Sequence, residues 1–131
     1  MNQRIVVIDD DTDIIELIRY VLVAEGYDVV GFTNLEPVKK IILLLPSVVL
    51  LDIMLGDEYG DTLCKLIKLN PASKQIPVIL VSAVPNLADI ASQCQADAFL
   101  PKPVNLDNLV KLVKHYSEGY NATLTRTNQP R

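Results

Sequence analysis

Histidine occurs once in this chain, at His115, and cysteine twice, at Cys64 and Cys94, far apart and without ligand-like spacing. That scarcity excludes a structural zinc site built on a His/Cys cluster. The two cysteines read instead as small core or surface residues in a reducing compartment. No basic stripe is visible either, and the formal charge is -4, which argues against nucleic acid as the direct partner. The amino terminus lacks the charged-then-apolar order of a secretory signal, so the sequon Asn121-Ala122-Thr123 reads as chance. The most apolar window, Ile41 to Leu55, is interrupted by Pro46, Ser47 and Asp52 and is too short to span a bilayer. A cytoplasmic location is the expectation.

What the chain does have is core. Half of its 131 residues are hydrophobic, enough for one domain of ordinary size and too many for a disordered chain. Strand and helix signals alternate. Ile5 to Ile8 is a short run rich in β-branched residues. Asp11 or Thr12 then caps a helix to about Ala24, with Ile14, Ile15, Leu17, Ile18, Val21 and Leu22 as its apolar face, and Gly26 ends it. Asp28 to Phe32 is a second strand. Asn34 is expected to cap a helix from about Glu36 to Leu45, and Val48 to Asp52 follows as the third strand. After a loop over Gly56 to Gly60 come a helix to Leu69, a strand over Val78 to Val81, a short helix from about Leu87 to Cys94, a strand at Phe99-Leu100, and a last helix from Asn105 to about Tyr116. Five strands alternating with five helices predict an α/β fold whose parallel sheet is covered on both faces. The domain is expected over residues 1–116, with 117–131 a flexible polar tail or linker.

Asp52 is the most informative residue. It closes the apolar run Val48-Val49-Leu50-Leu51, so its carboxylate belongs at the carboxyl edge of the sheet, where open α/β sheets bind ligands. Two other runs end alike: Ile5 to Ile8 in Asp9-Asp10-Asp11, and Pro77 to Val81 in Ser82. A fourth, Ala98 to Leu100, leads to Lys102 between two prolines. These endings imply a polar cluster at one end of the sheet. Asp11 and Asp13 read as capping and first-turn residues, and Asp57, Glu58 and Asp61 as a solvated acidic loop.

The motifs Val7-Ile8-Asp9-Asp10-Asp11, Leu50-Leu51-Asp52-Ile53-Met54-Leu55, Pro77 through Ser82-Ala83, and Phe99-Leu100-Pro101-Lys102-Pro103 stand in the order found in receiver domains of two-component response regulators. The chain resembles that family over about Gln3 to Tyr116. The resemblance implies a doubly wound, flavodoxin-like sheet of order 2-1-3-4-5, with Asp9 and Asp10 beside Asp52 at the switch point. It implies that Asp52 accepts a phosphoryl group from a histidine kinase or histidine phosphotransfer protein. It implies Mg²⁺ held by Asp9, Asp10, Asp52 and the Met54 carbonyl. Lys102, Ser82 and the Ala83 amide would contact the phosphoryl group, and the Lys102-Pro103 bond would be cis. Ser82 and Phe99 would form the switch that presents a surface to a downstream protein. Activity would be limited to self-catalysed phosphotransfer and autodephosphorylation.

The segment between Ser82 and Phe99 is shorter than usual in the family, Gly56 stands where proline is common, and Gln95 replaces a common glycine. An interaction module that keeps the fold without phosphorylation is the alternative. A haloacid dehalogenase-type phosphatase would need an acid where Met54 stands. A flavin-binding fold would not crowd acids after the first strand. The run Ile41 to Leu45 exceeds what a helix covering one sheet face requires, which points to an exposed patch for self-association or a partner, a homodimer included.

Overall fold

The computed structural model describes residues 2–128. Strand β1 (Arg4–Ile8), helix α1 (Thr12–Ala24), strand β2 (Asp28–Phe32), helix α2 (Val38–Leu43) and strand β3 (Val48–Leu51) come first. A small hairpin of β4 (Met54–Leu55) and β5 (Glu58–Tyr59) follows. Then come α3 (Gly60–Leu69), β6 (Val78–Ser82), α4 (Leu87–Cys94), β7 (Ala98–Pro101) and α5 (Leu106–Asn128). Five strands pair in parallel in the order β2-β1-β3-β6-β7. Leaving out the hairpin, this is the expected order 2-1-3-4-5.

The period-2 geometry of the strands builds two cores. Val6, Val49 and Val78 are register partners on one face, packed with Ile41 of α2, Ile67 of α3 and Ala91 of α4. Val7, Leu50 and Ile79 are partners on the other, packed with Ile18 of α1 and Leu109 of α5. All four residues of β3 are buried, which explains why its sequence is continuously apolar rather than alternating.

Local chemistry sets the ends of α1 and the start of α5. The Asp11 carboxylate accepts from the Asp13 amide at 2.9 Å and caps α1, while Gly26 takes φ +94° just past its end. Asn105 accepts from the Asn108 amide at 3.0 Å and caps α5. Helix α2 departs from the expectation. It starts at Val38 after an extended Pro37, not under an Asn34 cap, because the residue before a proline is kept out of the helical region. It ends at Leu43 rather than Leu45. The loop over Gly56 to Gly60 is in fact a hairpin turning at Gly56, with φ +61°.

Helix α5 also runs past Tyr116, to Asn128. Ser117 is fully buried, its hydroxyl hydrogen-bonded to the Tyr27 hydroxyl at 2.9 Å, and its carbonyl accepts from the Gln3 side-chain Nε2 at 3.0 Å. The helix thus continues through a position tied to the sheet end rather than stopping short of it. Residues 129–131 of the expected tail lie outside the described residues.

Of the glycines, Gly60 sits closest to a neighbouring backbone. A Cβ there would lie 1.8 Å from the Asp52 carbonyl oxygen, and its amide donates to the Ile53 carbonyl at 2.7 Å. The first turn of α3 is thereby clamped onto the backbone of Asp52. Gly60→Ala is expected to lower stability by about 3 kcal/mol, an overpacking effect. At Gly56, where nothing lies within 4 Å, alanine pays only for the positive φ, about 1 kcal/mol. Urea unfolding of both variants checks the difference, and equal losses would show that the clamp carries no strain.

Candidate functional site

Parallel pairing brings the ends of β1, β3, β6 and β7 to one edge of the sheet. The Asp52 amide donates to the Ile8 carbonyl at 2.9 Å, and the Asp9 amide to the Phe32 carbonyl at 3.0 Å, so both acids are fixed by the ladder itself. Lys102 follows β7, its amide held by the Ser82 carbonyl at 2.9 Å, and the Lys102-Pro103 bond is cis, as the resemblance implied.

The Lys102 ammonium sits between two carboxylates, 2.8 Å from Asp9 Oδ2 and 2.8 Å from Asp52 Oδ2. The other Asp9 oxygen accepts from the Asp11 amide at 3.0 Å. The other Asp52 oxygen accepts from the amides of Ile53 at 2.7 Å and Met54 at 3.4 Å. Asp9 and Asp52 are buried, whereas Asp10 is exposed. Each of the three offers a carboxylate oxygen within 4.8 Å of the others. Three hard oxygen donors against one ammonium leave excess negative charge, a setting that suits a small divalent cation.

Asp52 opens onto a cleft of about 350 Å³ lined by Met54, Ser82, Ala83, Val84, Pro85 and Lys102. The Ser82 hydroxyl is buried there without a hydrogen-bond partner. An orphaned hydroxyl beside a carboxylate and an ammonium is a donor waiting for an acceptor. Ala83 is exposed. Phe99, the register partner of Leu80, lies on the face that α4 covers, yet it is 43% exposed and so is not plain core.

Other acids stay out of the cluster. Asp11 caps α1, Asp13 lies in its first turn, and among the described residues Asp57, Glu58 and Asp61 join no potential metal group. His115 stacks edge-on against Tyr116. Cys64 and Cys94 are buried free thiols, with Cys64 Sγ donating to the Cys94 carbonyl at 3.3 Å, and burial pushes the Cys64 thiol up. The sequence reading missed Gly60 and Pro85. Glycine opening an amphipathic helix after an acidic loop was the available signal for the first. Nothing local marks the second.

The model of the response regulator receiver domain matches residues 5–114. This chain belongs to that family. The DNA-binding response regulator MtrA of Mycobacterium tuberculosis is 32% identical over 120 residues, covering 87% of this chain and 50% of its own length. The chain thus spans about half the length of the curated relatives it matches. Among solved structures, a CheY-like receiver domain protein from Methanospirillum hungatei is 26% identical. It covers 94% of this chain and 99% of its own, with a TM-score of 0.78. A BeF3-activated DrrB receiver domain is 27% identical and covers 90% of this chain and 99% of its own, with a TM-score of 0.74. Receiver domains belong to two-component signalling.

The charges at the site are not equally comfortable. Burial pushes the Asp9 carboxyl up, and the Lys102 hydrogen bond, the Asp11 amide and the Lys102 charge only partly offset it. Burial also lowers Lys102, but hydrogen bonds to Asp52 and Asp9, together with their charges, outweigh it and raise the ammonium. Both folded values lie above their unfolded ones. Stability from neutral Asp9 is therefore present at low pH and lost as pH rises through its elevated value. Stability from Lys102 is present at neutral pH and lost only above the ordinary lysine range. Asp9→Asn is accordingly expected to unfold at higher urea than wild type at neutral pH without divalent cation. Lys102→Ala, which leaves two buried carboxylates facing each other, should lose about 3 kcal/mol. Urea midpoints at neutral pH, measured with a chelator present, decide both signs.

Proposed function

We propose that this domain accepts a phosphoryl group on Asp52 from the phosphohistidine of a sensor kinase or histidine phosphotransfer protein, and that the modification changes the surface offered to a downstream protein. The observation that carries this reading is the half-buried Lys102 ammonium shared between the buried carboxylates of Asp9 and Asp52, with Asp52 open to the cleft. A carboxylate that already has two amide donors and one ammonium is held in a fixed rotamer, which suits an oriented nucleophile. In the transfer, an Asp52 oxygen forms a bond to phosphorus as the phosphorus–nitrogen bond of the phosphohistidine breaks, and the imidazole leaves and takes up a proton.

Both partners are anionic, so the residues around them must supply positive charge and donors. Lys102 supplies a point charge on the phosphoryl oxygens. The Ser82 hydroxyl, buried and unpartnered, is the nearest candidate to satisfy a phosphoryl oxygen, with the Ala83 amide as a second donor. Asp9, Asp10 and Asp52, with the Met54 carbonyl, would hold Mg²⁺, which when bound neutralises charge between carboxylate and phosphoryl oxygens. Movement of Ser82 toward a phosphoryl group would open space on the Phe99 side of β6, and exposed Phe99 is free to turn inward. The relatives named as DNA-binding regulators are about twice as long. The acidic balance of this domain favours a protein as its own direct contact. No helix among the described residues is long and apolar enough to cross a membrane, and a cytoplasmic site is the natural setting for such a relay.

Intact-mass spectrometry after incubation with acetyl phosphate and Mg²⁺ tests the reading. One phosphoryl adduct is expected, dependent on Mg²⁺ and missing in Asp52→Ala. No adduct with acetyl phosphate, a phosphorylated kinase or beryllofluoride would favour a receiver-like interaction module instead. Met54 and Val84, which flank the cleft, cannot hold an attacking water by hydrogen bonds. The adduct is therefore expected to be long-lived, and Met54→Asn to shorten its half-life by about tenfold, roughly one well-placed hydrogen bond. An unchanged half-life removes that role from Met54.

A further inference from the structure

The end of the domain opposite Asp52 carries chemistry that phosphorylation does not use. Helices α2 and α3 cover the same sheet face and pack against each other, and both run back against the parallel strands. Their last turns therefore lie together at the far edge. There Leu43 is 71% exposed, Leu45 80% and Leu69 76%, with Leu66 beside them at 51%. The exposed pair is Leu43 and Leu45, while Ile42 and Leu44 are half-buried. Four exposed leucines on two adjoining turns are more than scattered surface apolar residues.

The last turns of α2 and α3 and the loops that follow them carry lysines and no acid of their own, and Asp97, which lies beside them, is neutralised by Lys68. No Asp or Glu occurs between Pro37 and Leu51, nor between Thr62 and Ala88, although the chain as a whole is acidic. Lys65, and Lys74 in the loop after α3 whose carbonyl accepts from Lys68, are exposed and make no ion pair among the described residues. Lys68 is spent on Asp97 at 2.7 Å and the Ile76 carbonyl at 2.8 Å. A cleft of about 200 Å³ opens beside Leu69, between the last turns of α3 and α4, lined by Lys65, Lys68, Gln93, Cys94 and Gln95.

We infer that this basic, leucine-bearing end docks an acidic amphipathic segment of a partner protein. An apolar side chain of the partner seats in the cleft against Leu69, and its flanking carboxylates meet Lys65 and Lys74. Charge complementarity selects the acidic partner, and the cleft, which takes one side chain at a time, selects a polypeptide over a flat lipid surface. The site lies away from the phosphoryl-accepting edge and goes beyond the function proposed above.

The full chain, immobilised as bait, is panned against phage-displayed random peptides roughly four helical turns long. Enriched peptides are expected to pair Leu, Ile or Phe at helical spacing with flanking Asp or Glu. Their synthetic versions should bind at least about tenfold more weakly to Lys65→Glu and to Leu69→Ser, and more weakly as salt rises. Both positions are exposed, and unfolding midpoints confirm that the variants fold. Tyr20→Ser, an exposed change on α1, should bind as wild type does. Peptides without acids, peptides that bind both variants unchanged, or no enrichment would overturn the proposal. So would sedimentation with phosphatidylglycerol vesicles in place of peptide binding, or a loss of self-association as the sole effect of the variants.

Discussion

Two buried carboxylates facing one ammonium are the constraint on which the rest of this structure turns. Asp9 and Asp52 are held at neighbouring strand ends by the parallel ladder, too close and too dry to be tolerated as a bare pair. Lys102, delivered from the far side of the sheet by β7, bonds to both at 2.8 Å and makes the arrangement tenable. The compensation is incomplete, since burial still holds Asp9 above its ordinary range. A site that is stable yet short of positive charge is one that a cation or a change in charge can readily alter.

The scaffold around that trio is rigid where the chemistry needs it. Every residue of β3 is buried, so Asp52 is anchored by a strand with no freedom to slide without turning its side chains to the wrong core. Gly60 then clamps α3 onto the Asp52 backbone, and the β4–β5 hairpin between them is too short to take up slack. On the other side of the cleft, Ser82 has an unpaired hydroxyl and Phe99 is partly exposed. The fixed wall carries Asp52, the proposed acceptor, and the looser wall carries Ser82 and Phe99, whose environment the proposed phosphorylation would change.

Charge is sorted along the same axis. Acids gather where β1, β3 and the hairpin end, while the last turns of α2 and α3 hold lysines and exposed leucines without an acid among them. A parallel sheet sends every helix terminus of one kind to the same edge, so residues remote in sequence become neighbours at each pole. The two poles differ in character enough to meet different partners.

Much of this was legible in the residues. Buried-strand runs ending in Asp9, Asp52 and Ser82, separated by amphipathic helices, admit few folds other than a parallel sheet with those side chains at one edge, because strand period and helix period leave little choice. The caps at Asp11 and Asn105 were readable for the same local reason. Asn34 was not, since a proline downstream vetoed the helix start that its side chain favoured. The end of α5 was misread at Tyr116 because Ser117 looks like a polar breaker and is in fact buried against Tyr27 from a distant loop. Likewise a run of five apolar residues cannot say which of them face out. Leu43 faces out from the side of α2 opposite Ile41, and Leu45 does so where the chain turns after the helix stops early, φ +52°. Local pattern by itself determined the class of fold and the identity of the acidic cluster. Tertiary packing alone decided that Lys102 bridges two acids, that Gly60 must be glycine, and which leucines water sees, because each depends on atoms brought together from different elements.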